Sequence, residues 1–161
     1  MKKVISLGLM IMALYLAPQT SSAQTTKYKC MIQMTNYMGE GAYIVVSLID
    51  PKGNYEKTLR VMGSDKKWYK TLKSWHLYYT KHPSNVSAIS GASVTSGDRS
   101  VTVLEIDNSK INAGYKIRFE SAVEDNKYYE KDLEIPLTTE SLEGKAEGTG
   151  YIRYVRLTAN N

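Results

Sequence analysis

The chain has 161 residues, with 21 Lys and Arg against 16 Asp and Glu, a formal net charge of +5, and one cysteine. A single cysteine excludes an internal disulfide and a Cys-ligated metal, and only two histidines, His76 and His82, remain as imidazole ligands, so no metal site is expected. No basic run of five or more residues occurs, which leaves nucleic-acid and lipid-surface binding without support.

Met1-Lys2-Lys3 is a short positive region, Val4 to Pro18 is apolar and uncharged, and Ser21-Ser22-Ala23 supplies small residues. This three-part layout reads as a signal peptide over 1–23, cleaved after Ala23. The apolar part is too short for a membrane span and no stop-transfer charges follow it. Cys30 follows Tyr28-Lys29 and lacks the small apolar residues that precede a lipidated cysteine. The expectation is an exported, periplasmic protein whose mature chain, residues 24–161, is one domain and does not enter a membrane. Removing the leader takes Lys2 and Lys3 and no acid, so the net charge falls to +3 and 138 residues remain, enough for a core.

Tyr28, Cys30, Ile32 and Met34 alternate with polar residues, the pattern of a half-buried strand. Ala42 to Ile49 is β-branched and apolar, as expected of a central strand covered on both faces. Asp50-Pro51-Lys52-Gly53 is a turn, and Tyr55 to Met62 completes a hairpin. The period then changes. Trp68, Leu72, Trp75 and Tyr79 form one helical stripe over Asp65 to about Tyr79, with Ser64 or Asp65 able to cap its start.

From Ser84 a serine recurs at every third position as far as Ser96, within a Gly/Ala/Ser-rich segment ending near Ser100. Such a run contributes little to a core; it serves either as a plain surface connection or as backbone that a large ligand approaches closely. Asn85-Val86-Ser87 has the form of a glycosylation acceptor, which the bacterial-looking leader argues against. Val101 to Ile106 is a strand, Asp107 to Lys110 a turn, and Tyr115, Ile117 and Phe119 alternate with Lys116, Arg118 and Glu120. That alternation predicts one face in the core and the other in water. Tyr129 to Leu137 is a strand with Leu133, Ile135 and Leu137 inward, and Pro136 suggests a sheet edge. Gly144, Gly148 and Gly150 punctuate a polar loop before Tyr151 to Thr158, a strand whose Ile152, Val155 and Leu157 break alternation as a bulge would. The sum is a mainly β, antiparallel β-sandwich of about seven strands with one inserted amphipathic helix.

Hydrolytic chemistry finds little footing: Ser93 lies in Ala92-Ser93-Val94 and no Gly-x-Ser-x-Gly elbow exists to present it to His76 or His82. The pairs Glu124/Asp125 and Asp132/Glu134 fall at turn or solvent-face positions and not at a glycosidase site. The protein is therefore expected not to be an enzyme.

The order Leu48-Ile49-Asp50-Pro51-Lys52-Gly53, Thr58-Leu59-Arg60-Val61, Trp68 to Trp75, Ser90-Gly91-Ala92-Ser93 and Gly114-Tyr115 resembles the predicted periplasmic family catalogued as domain of unknown function 2271, over roughly residues 27–158. The strand entry at Gly114 is also similar to the immunoglobulin-like domain of the flagellar hook-capping protein, which implies that the β-sandwich is immunoglobulin-like. The family resemblance implies association with exported flavin systems, with a flavin transferase and a membrane redox protein as partners. Ser90-Gly91-Ala92-Ser93 is similar to the acceptor motif of flavin transferases, Asp-x-x-Ser/Thr-Gly-Ala-Thr/Ser, whose last hydroxyl receives FMN through a phosphoester.

On that resemblance Ser93 is the acceptor, Gly91 and Ala92 admit the transferase, and Ser90 fills the first hydroxyl position. The chain departs from the motif at Ser87, where the family has Asp. The resemblance implies an electron carrier; proximity in sequence alone points to Tyr78, Tyr79 or Trp75 to stack on the ring and Lys81 or Arg99 to pair with the phosphate. The alternative is a cofactor-free periplasmic binding or scaffolding module that docks onto a membrane partner, a role the same fold also hosts.

Overall fold

The computed structural model describes residues 24–159, so the leader read in 1–23 lies outside the described residues. Nine strands form two sheets: β1 (Thr25–Met34), β2 (Tyr43–Ile49), β3 (Tyr55–Met62), β4 (Ser90–Gly91), β5 (Arg99–Asp107), β6 (Lys116–Ala122), β7 (Tyr128–Pro136), β8 (Lys145–Glu147) and β9 (Ile152–Ala159). The first sheet runs β5-β1-β9-β8 and the second β4-β3-β2-β6-β7. Every pairing is antiparallel except β3 with β4. The mainly β sandwich is thus as expected, with nine strands in place of about seven. The additions, β4 and β8, are too short to show a period in sequence.

Tyr28, Cys30, Ile32 and Met34 of β1 all point into the space between the sheets. Burial pushes the Cys30 thiol up to about 12, so it behaves as a small apolar side chain. β2 is buried along its whole length. Its Ile44, Val46 and Leu48 face the inter-sheet core, while Tyr43 and Val45 join a second core with Tyr69, Leu72 and Trp75 under a helical layer. The turn after β2 forms as its residues dictate: Asp50 Oδ1 accepts from Lys52 N and Asn54 N at 2.8 Å each, and Gly53 takes φ +89.

The helical layer corrects the sequence reading of one continuous helix. A 3-10 segment, Lys66–Thr71, is capped by Asp65, whose Oδ1 accepts from Lys67 N at 3.0 Å. The chain leaves helical geometry at Leu72 (ψ 69) before α1, Lys73–Lys81. Tyr69 of the 3-10 segment, Leu72 at the break and Trp75 of α1 are the buried residues of the layer. Trp68 and Tyr79 are only half-buried.

Two strand faces also differ from expectation. Arg118 and Glu120 of β6 are 5% and 0% exposed on the face that alternation assigned to water, Glu120 beneath the Trp75 amide of the helical layer and Arg118 beside Glu134 and the Tyr55 ring. Asp132 of β7 is fully buried too, with its carboxylate accepting from Thr149 N (3.1 Å), Gly150 N (2.7 Å) and Ile152 N (3.0 Å). It ties the 149–152 loop to the second sheet. β7 is an edge strand ending at Pro136. Against β1, β9 slips register where Gln33 faces Tyr154 and Met34 faces Ile152, leaving Arg153 as the extra residue of a bulge.

Candidate functional site

Val86, 2% exposed, plugs the chain into the second core after α1, and the Ser/Gly/Ala segment builds outward from it. Ser87 N donates to Asn85 Oδ1 at 3.0 Å, and a single 3-10 turn, Ser87–Ile89, follows. Ser90 Oγ donates to Ser87 O at 3.1 Å, so that hydroxyl closes the turn. Ser90 and Gly91 then pair with Val61 and Met62 of β3, and Gly63 N donates to Gly91 O at 2.7 Å. Three residues on, Val94 is fixed to Ala42 by backbone bonds in both directions, 2.8 and 3.0 Å long. Tyr37 Oη adds a bond to Val94 O at 2.5 Å.

Between those anchors Ala92 and Ser93 are exposed. The segment is a tethered crest. Space around it is tight: a Cβ on Gly41 would lie 2.5 Å from Ser93 Oγ, and one on Gly91 would lie 3.2 Å from Arg60 Nη2.

Beside Ser93 is a cavity of about 220 Å³ between β3 and the start of β5, with Arg60, Arg99 and Asp98 in its wall. Arg99 is held by its Nε, which donates to Gln33 Oε1 at 3.1 Å. A larger groove, about 760 Å³, runs between β3, β5 and the end of α1, lined in part by Tyr78, His82, Ile89, Val103 and again Arg60.

Of the residues named from sequence as neighbours of Ser93, the structure brings Arg99 to its cavity and Tyr78 to the adjoining groove. Tyr78 is stacked between Tyr55 (5.3 Å) and His82 (4.9 Å). Trp75 is fully buried, its Nε1 donating to Thr58 Oγ1 at 2.9 Å, with Tyr79 stacked on it at 5.0 Å. Lys81 is in the lining of neither cavity, and neither histidine lines the cavity of Ser93. Sequence reasoning missed Arg60 and Gly41, which arrive from other segments, and Asp98 near the end of the same segment. Position 87 lacks the motif's acid, yet Asp98 puts a carboxylate in the wall of the Ser93 cavity.

A second polar cluster lies under α1. Glu120 accepts from Tyr55 Oη, from Tyr128 Oη at 2.6 Å and from Trp75 N at 3.2 Å. Burial raises its carboxyl above the ordinary range and the tyrosine bonds oppose that; burial and the adjoining carboxylate raise both tyrosines. Arg118 pairs with Glu134 at 2.8 Å and lies over the Tyr55 ring. Glu120 lines neither cavity, and its bonds brace the helical layer against the sheet.

Among the described residues no group of three or more His, Cys, Asp or Glu is placed to hold a metal, and no helix is long and apolar enough to cross a membrane. A family model described as "Predicted periplasmic protein (DUF2271)" matches residues 25–154. No curated protein and no solved structure matches the chain.

Proposed function

We propose that this chain, which belongs to the DUF2271 family of predicted periplasmic proteins, is an exported, non-catalytic electron carrier with FMN joined through a phosphoester to Ser93. One observation supports this most: Ser93 is exposed on backbone anchored on both sides, beside two arginines. An acceptor must offer its hydroxyl to a transferase while its backbone holds still, and pairing at Gly91 and Val94 does both.

The residues present suit the group. Gly91 leaves the space against Arg60 that a side chain would fill, and Arg60 Nε is buried without a hydrogen-bond partner among the described residues. In the attachment step Ser93 Oγ attacks the flavin-side phosphorus of a flavin adenine dinucleotide donor. A serine O–P bond forms, the pyrophosphate P–O bond breaks, AMP leaves and the hydroxyl proton passes to a base of the transferase; nothing is oxidised or reduced. When attached, the flavin supplies the redox chemistry. The chain supplies the anchor at Ser93, cations for the phosphate and partial cover.

The leader over 1–23, cut after Ala23, takes the chain to the compartment where a flavin transferase modifies it and a membrane redox protein exchanges electrons with it. The test is colour. Protein exported from cells that make a flavin transferase should run as a yellow, fluorescent band in a denaturing gel. A colourless band under those conditions would remove the carrier reading and leave a cofactor-free binding module.

A further inference from the structure

We infer that Arg60 is the phosphate-pairing residue of the Ser93 site and that the groove beyond it, walled by Tyr78, is the seat of the isoalloxazine ring. The inference rests on attachment of FMN at Ser93 and assigns where the rest of the group goes. Arg60 is the one residue shared by the linings of the small cavity and the large groove. Its guanidinium lies against Gly91, since a Cβ there would come within 3.2 Å of Nη2.

Buried donors in folded proteins are nearly always paired, yet Arg60 Nε has no partner among the described residues. A planar fork of N–H donors set against Gly91, two residues before the hydroxyl that would carry a phosphodiester, suits that anion better than a lysine would. Arg99 shares this end and Asp98 opposes it, so two cations stand against one carboxylate.

Size divides the ligand between the two spaces. The cavity at Ser93, about 220 Å³, is below the ~300–1,000 Å³ typical of small-molecule pockets, whereas the groove, about 760 Å³, is within that range. The small space suits a phosphate and the start of the ribityl chain. The large one has an aromatic wall for a ring: Tyr78, whose hydroxyl donates to Glu56 O at 2.8 Å, is stacked with Tyr55 and with His82, and His82 lines the groove beside it. Ile89 and Val103 add apolar wall, and the groove's two acids are neutralised, Glu56 by Lys110 and Glu105 by Lys27.

The experiment uses full-length protein exported with a flavin transferase, as wild type and as Arg60→Gln, Arg60→Lys and Tyr78→Leu. Each is assayed by intact mass and by flavin emission with iodide as quencher. Tyr78→Leu should keep the mass gain while emission rises several-fold, because a tyrosine against the ring quenches it. Arg60→Gln should also keep the mass gain but become more open to iodide, with Arg60→Lys between it and wild type.

A purely structural Arg60 would lower the unfolding midpoint of Arg60→Gln and leave iodide access as in wild type. Modified wild type with emission and quenching unchanged in both Arg60→Gln and Tyr78→Leu overturns this inference alone; unmodified wild type overturns the Ser93 reading with it. Independently of any variant, iodide quenching of loaded wild type should rise on urea unfolding, and equal quenching in the two states contradicts a seated ring.

Discussion

Glu120 and Ser93 are polar residues set among firmly held neighbours, and they differ in what remains for an outside partner. Glu120 is fully buried, and two tyrosines and the Trp75 amide occupy its carboxylate. Ser93 is exposed, and the bonds around it go to the backbone of Gly91 and Val94 while its side chain rests on Gly41. A buried group whose bonds are all internal holds the protein together. An exposed hydroxyl on anchored backbone is left open to a partner from outside. The two clusters should therefore fail separately.

The largest separation comes from Ser93→Ala, which should abolish flavin attachment while moving stability by less than about 0.5 kcal/mol, as exposed substitutions do. Flavin absorbance per protein, read beside a urea titration, checks both halves. Glu120→Ala should do the reverse. It strips the acceptor from two buried hydroxyls and a helix amide, a loss of about 3 kcal/mol in the same titration, with flavin per folded molecule unchanged.

Gly41→Ala tests the crest itself. The new methyl would collide with the Ser93 side chain, so loading should fall several-fold with a loss of about 1 kcal/mol, measured by mass and by urea midpoint.

The smallest effect is in pH. Burial raises the Glu120 carboxyl above its ordinary 4.5, so its contribution to stability is complete below that pH and is lost as pH rises through the folded-state value. Burial acts the same way on Glu134, but Arg118 and Lys116 overcome it and hold the carboxyl low, so its contribution is present above 4.5 and is lost as pH falls. Urea midpoints across pH should show Glu120→Gln flattening the decline above 4.5 and Glu134→Gln flattening the decline below it. Identical profiles for the two variants would contradict the assignment.

What sequence made legible in each region follows from how local its cause is. β1, β2 and the Asp50-to-Gly53 turn were readable because period two and turn chemistry are written in adjacent residues. Ser90 to Ser93 stood out for the same reason. The alternation of β6 separated Arg118 and Glu120 from Ile117 and Phe119 but carried no record of the helical layer over Glu120 or of the Tyr55 ring beside Arg118. The break at Leu72 was hidden because Trp68, Leu72, Trp75 and Tyr79 fit an α-helical stripe by spacing, while packing selected Tyr69. Arg60 and Gly41 were invisible as site residues, since only the pairing of β3 with β4 and the bridge from Ala42 to Val94 bring them to the crest.

The central claim is tested most directly by the intact mass of the mature protein, exported together with a flavin transferase, beside Ser93→Ala made in the same way. The account predicts that the wild type gains the mass of one FMN less one water and that the variant gains nothing. No gain in either protein, or the same gain in both, would contradict it.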